Sequence, residues 1–254
     1  MAEQFRDMDT ISDEEWQLRV DLAACYRLFV KFGWTDLIFT HLSARVPGVD
    51  NQYLINPYGM LFNEITASSL IKVDFDGNVV SGDYPYNDAG HAIHTAVLKS
   101  RPEVNVALHS HTRAGMTVST MKCGLLPLTQ QANEVMANVA YHDYDVAVGA
   151  EEECERIGAD LADKHCLIMH NHGLLTCGRD VAEAFYLLYT LENACKVQVD
   201  SMASGQELHH TKESAANMIA EYGRVKPKAP SRSSRLAWTA LIRTLDREQP
   251  DYKD

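Results

Sequence analysis

The chain has 254 residues, of which 46% are hydrophobic and 23% charged, and its formal net charge is −12. That size and balance suit one large α/β domain or two small ones, and the negative charge argues against nucleic acid or an anionic membrane surface as the main partner. No apolar run approaches the ~18 residues of a membrane span, Met1 to Asp13 is too polar and acidic for a signal peptide, and the six cysteines lack CxxC spacing. A cytoplasmic protein with reduced core thiols is the expectation.

Ser12, followed by Glu15, has the spacing of a capping box and opens a predicted helix to about Phe32. Leu18, Leu22, Cys25, Phe29 and Phe32 form its apolar stripe, and Gly33 stops it. Strands are predicted at 39–46 and 53–56. Thr66 caps a predicted helical turn, and strands at 71–74 and 78–80 make a hairpin around Asp76-Gly77. Asn87 or Asp88 opens a helix to Ser100, stopped before Pro102. A strand at 104–109 leads into a helix at 112–121, and 139–144 reads as strand. Residues 150–164 read as an exposed helix, with Glu151 to Glu155 its solvated acidic face. Strands at 166–170 and 174–177 precede a long helix capped by Asp180 and Glu183 and running to about Ala203. Residues 204–235 read as a loop, and a last helix spans 234–245. Frequent hairpins among alternating helices and strands predict one α/β fold with a largely antiparallel sheet between helical layers. No glycine-rich phosphate loop follows any strand, so no nucleotide cofactor is expected.

Two histidine pairs stand out: His109-Ser110-His111 and His170-Asn171-His172-Gly173. The first closes an apolar strand, where residues two apart share a face. Two imidazoles there can grip one metal ion, and a third from another segment would leave coordination positions open, as in a catalytic site. Either pair alone is a weak signal, since polar residues often fall two apart by chance.

Five blocks, in this order and spacing, resemble the class II aldolase/adducin family over roughly residues 12–205. They are Phe39 to Arg45, Leu54 to Gly59, Ile93-His94 with Ser100-Arg101-Pro102, His109-Ser110-His111, and Asn171 to Leu175. The resemblance implies a three-layer αβα sandwich around a mainly antiparallel sheet, with residues 206–254 as a C-terminal extension packing on the same domain. It implies a homotetramer acting on a small-molecule substrate. His172 becomes the third ligand beside His109 and His111, with His170 as its rival. Zn2+ is the family's usual metal, and three imidazoles also suit Fe2+, Mn2+ or Co2+. The implied chemistry is Lewis-acid stabilisation of an enediolate as a C–C or C–H bond breaks.

The chain departs from that pattern in places. The family's carboxylate, four residues before the position of His94, is Gly90 here; Asp88 lies two residues away and is either a displaced acid or a helix N-cap. Tyr141 matches a proton-donating tyrosine that reaches a neighbouring subunit, and Tyr252 lies in a tail that could close over the site. Thr40-His41, Tyr58, Asp88 and Ala89 replace phosphate-binding residues, so the expected substrate is not a simple sugar phosphate. His94 reads as a packing histidine beside a partly exposed His91. Arg45, Lys72 and Arg113 are the nearby cations, with Arg113 a candidate for a substrate carboxylate or a structural salt bridge. Three readings follow: a metal-dependent lyase performing retro-aldol cleavage or decarboxylation, a non-catalytic adducin-like binding or assembly protein, and a non-haem Fe2+ oxidative decarboxylase.

Overall fold

A computed structural model describes residues 11–143, 151–225 and 231–254. Eight strands form one sheet: β1 (Leu42–Arg45), β2 (Gln52–Ile55), β3 (Ile71–Asp74), β4 (Val79–Ser81), β5 (Val106–Ser110), β6 (Val139–His142), β7 (Cys166–Met169) and β8 (Gly173–Gly178). Their spatial order is β4-β3-β2-β1-β5-β8-β7-β6, and every neighbouring pair is antiparallel except β6 with β7. The longer helices are α1 (Asp13–Phe32), α2 (Asp88–Ser100), α3 (Arg113–Ser119), α4 (Gln130–Met136), α5 (Glu151–Leu161), α6 (Val181–Ala203), α7 (Glu213–Gly223) and α8 (Arg232–Glu248).

The sheet has a core on each face because its strands alternate apolar side chains in both directions. Ile93 and Val97 of α2 and Ile157 and Leu161 of α5 pack with Ile55, Val73, Ala107 and Leu175 on one side. Leu22 and Phe29 of α1 and Phe185 and Leu188 of α6 pack with Leu42, Leu54, Leu108 and Leu174 on the other. This is the expected αβα layering.

Local signals place the termini of the helices well. Ser12 Oγ accepts the Glu15 N–H at 3.1 Å, and Gly33, at φ 69°, closes α1. The Glu15 carboxylate does not serve the cap: it binds Arg19 at 3.0 Å and Lys72 at 2.8 Å, tying α1 to β3. For α2 the cap is Asn87, whose Oδ1 accepts the Gly90 N–H at 3.2 Å; Asp88 is the first helical residue and is not the cap.

Several expectations need correction. Thr66 Oγ1 accepts the Ser69 N–H at 3.3 Å and caps a single turn at 67–69 as expected, but a short 3-10 helix, Phe62–Glu64, precedes it unannounced. Helix α4 is only seven residues, too short to show a period, and is capped by Thr129. Helix α7 lies inside the segment read as loop; it buries no residue fully, and its half-buried Ala216, Ile219 and Ala220 lie on a helix that rests against α4. In the acidic run, Glu153 is buried, not solvated, and receives His142 at 2.9 Å along with Arg156. Residues 144 and 150, at the ends of predicted elements, lie outside the described residues.

Helix α8 packs on α6 and α1, and the chain then turns into a 3-10 helix, Pro250–Lys253. Tyr252 is fully buried in the α1-side core, its carbonyl accepts the Ala67 N–H at 2.9 Å, and Asp251 pairs with Arg27 at 2.9 Å. Among the described residues, no helix is long and apolar enough to cross a membrane.

Candidate metal centre

Strand β5 is the middle of the site. Ala107 packs in the core on the α2 side, so His109, two residues on, faces that side as well. His111 lies just past the strand end and folds back, placing its Nε2 2.9 Å from that of His109. The Nε2 of His172 is 3.0 Å from the His111 Nε2. One ligand atom from each of the three lies within 4.8 Å of the other two, the one such group among the described residues.

The β7–β8 turn decides which histidine of the second pair takes part. Asn171 is left-handed, at φ 58°, which breaks strand alternation, so His170 and His172 do not share a face. His170 turns to the surface and meets Asp143 at 2.7 Å. Gly173 follows His172 because a Cβ there would lie 2.5 Å from the Ser110 carbonyl oxygen and 3.2 Å from the His111 ring. The absence of a side chain lets β8 bring His172 close to the end of β5.

The outer nitrogens of two of these rings fix their chemistry. His109 Nδ1 is 2.9 Å from the Leu174 carbonyl oxygen, and His111 Nδ1 is 2.9 Å from Asp36 Oδ2. Both acceptors require an N–H at Nδ1, which leaves a lone pair on each Nε2. Lone pairs facing one another at 2.9 Å need positive charge between them, and one proton bridges only two nitrogens at a time. A three-imidazole set with open positions fits a divalent cation such as Zn2+. Burial, aided by the neighbouring histidines, pushes the His109 pKa well below its usual value and that of His172 down to about 4, so both stay neutral as ligands must.

Beside the triad runs a second buried chain. The His41 ring stacks on His109 with centroids 5.0 Å apart, its Nδ1 is 2.9 Å from His94 Nε2, and His94 Nδ1 is 2.5 Å from Ser43 Oγ. Gly90 is packed against this ring: a Cβ there would lie 2.6 Å from His41 Cδ2. His41 therefore fills the space that a side chain at position 90 would enter. Thr40, buried and at φ 68°, sets the backbone for it, a conformation a β-branched residue rarely adopts.

The other candidates are not brought to the triad within one chain. Asp88 is exposed at the start of α2. The Tyr141 hydroxyl, on the outermost strand β6, accepts the Leu125 N–H at 2.9 Å and its ring lies over His170. The Tyr252 hydroxyl donates to Asp246 at 2.7 Å, away from the histidines. Arg113 is exposed and forms no salt bridge among the described residues. Arg45 is taken up by the Asp50 and Leu98 carbonyls, and Lys72 by Glu15. His91 is half-buried against the Tyr53 hydroxyl at 2.7 Å.

The sequence model of the Class II Aldolase and Adducin N-terminal domain matches residues 20–199, which include all three converging histidines. The chain belongs to the class II aldolase and adducin family. A crystal structure of an aldolase II superfamily protein from Pseudomonas syringae is 43% identical, with a TM-score of 0.91, covering 97% of this chain and 98% of that one. The L-fuculose 1-phosphate aldolase of Glaciozyma antarctica PI12 is 27% identical, with a TM-score of 0.83 over 95% of this chain and 93% of that one. Alpha-adducin of Mus musculus is 43% identical over 205 residues, 78% of this chain but 28% of that protein. One residue of this candidate site, Asp36, carries no signal in the sequence. Asp36 lies 75 positions from His111, and no local spacing flags such a pair. His41 was visible as a departure from the family pattern, but its contact with Gly90 was not.

Proposed function

We propose that the chain is a metal-dependent lyase of the class II aldolase type, acting on a small hydroxy-carbonyl compound by retro-aldol cleavage or decarboxylation. The convergence of His109, His111 and His172 carries this reading. A divalent cation held there supplies Lewis-acid stabilisation of the negative charge that develops when a bond beside a carbonyl breaks. Zn2+ suits the donor set best; Fe2+ would favour oxidative decarboxylation.

The chain's own residues narrow the substrate. His41, which stands at a phosphate-binding position of the family, is engaged by His94 and fills the pocket beside Gly90, so that position is spent internally. The substrate we infer is therefore not a simple sugar phosphate. The group we place in the role of the missing carboxylate is the His41 imidazole, which fills the space beside Gly90 and is held at its Nδ1 by His94. Tyr141, on the exposed sheet edge, is assigned to the site of a second copy in a homotetramer.

A binding or assembly role like that of an adducin head is favoured by one observation, the missing carboxylate at Gly90. Metal content separates the two. About one equivalent of zinc in the purified protein, absent from a His109→Ala/His172→Ala variant, supports the lyase. One equivalent of iron redirects assays to oxygen consumption. No metal after reconstitution sinks both enzyme readings and leaves the adducin-like one.

A further inference from the structure

The geometry points to Asp36 as a positioning residue that sets the tautomer, orientation and donor strength of His111 toward a bound divalent cation. This inference rests on the metal reading of the triad.

The two characterised outer contacts differ in kind. His109, buried, is held by a backbone carbonyl, while His111, with a fifth of its side chain exposed, is held by a carboxylate. A charged acceptor forms the stronger hydrogen bond and pushes electron density through the imidazole to the opposite nitrogen. It also places a negative charge one ring from the cation. Without Asp36, His111, which lies beyond the end of β5, would lose the carboxylate that holds its Nδ1.

The loop that carries Asp36 is built to hold it still. Trp34 anchors the near end among Phe29, Phe32 and Phe185. At the far end the His41 carbonyl accepts the His109 N–H at 3.1 Å. Between them the Asp36 carbonyl accepts the Phe39 N–H at 2.8 Å, and both Leu37 (φ 48°) and Thr40 (φ 68°) are left-handed. Two non-glycine residues in that conformation within four positions fold the loop tightly enough to turn the Asp36 carboxylate onto His111. Leu37 is 69% exposed, so solvent-side packing does not explain the shape.

The test uses full-length protein stripped of metal by a chelator. Zn2+ affinity is read by competition with a chromophoric chelator, and the visible spectrum is recorded with Co2+ in place of Zn2+. Asp36→Ala is expected to weaken Zn2+ binding 10- to 100-fold. Asp36→Asn, which keeps an acceptor but loses the charge, should fall between it and the parent. Both should shift the Co2+ bands, a signature that a merely structural residue would not move. The metal-free variants should melt with the parent, as Asp36 is 44% exposed; if Asp36→Ala does not fold, the isosteric Asp36→Asn decides. Unchanged affinity and spectrum in both variants overturn the role of Asp36 and leave the metal site standing. A parent protein that binds Zn2+ no better than His109→Ala overturns the metal reading, and this inference with it.

Discussion

At position 90 one hydrogen atom separates this chain from a clash. In an open helix, Gly→Ala gains about 1 kcal/mol. Here the added Cβ would meet the His41 ring at 2.6 Å, and that ring cannot swing away cheaply, being buried, stacked on His109 and bonded to His94. Forcing a methyl into such a site costs about 1–3 kcal/mol. Gly90→Ala is therefore expected to lower stability in urea unfolding, and adding His41→Ala should recover part of the loss through a favourable coupling. Additive losses would show that the ring does not occupy that space. The same contact explains why a family-type carboxylate cannot simply be restored at position 90.

Among the elements, α2 offers a clean test because two acidic or amide residues compete for one cap. Asn87 makes the capping bond and Asp88 does not. Asn87→Ala should cost about 1 kcal/mol, whereas Asp88→Ala should lose only the ~0.3–1 kcal/mol of a first-turn charge. Equal losses in thermal or urea melts would contradict the assignment. The C-terminal 3-10 helix is a second case. Tyr252 fills the core beneath α1 although it is two residues from the end, so Tyr252→Ala is expected to cost about 3–5 kcal/mol, as for other buried aromatics. A loss within the noise of the melt would mean that the tail docks weakly.

On the scale of the whole molecule, the notable electrostatic feature is the number of histidines kept neutral by burial. Burial pushes the His94 pKa down to about 3, and burial with the nearby Arg101 pushes His165 to about 4. The unfolded chain takes up these protons near pH 6.5, while the folded protein does not. The stabilisation is thus complete above pH 6.5 and is lost as pH falls toward 3–4, by about 1.4 kcal/mol per pH unit for each such histidine. Metal-free protein should show a lower urea midpoint at pH 5 than at pH 7, with a flatter dependence in His165→Gln. A midpoint that does not move would refute the neutral burial.

Much of this protein is written locally. The Leu22, Cys25 and Phe29 stripe and its Ser12 and Gly33 ends specify α1, the alternation up to His109 specifies β5, and Asp76-Gly77 specifies the β3–β4 hairpin, with Gly77 at φ 89°. Each rests on bonds or burial within a few residues, so spacing alone reveals it. The five blocks also made the family legible, because their order is itself a sequence property. The resemblance also pointed to His172 over His170; what only the tertiary structure decided are the other meetings across the chain, Asp36 behind His111 and His41 over Gly90. A left-handed residue at Asn171 or Thr40, and the contact distance across two packed strands, depend on how far-separated segments press together. No period or motif in the linear chain records that pressure.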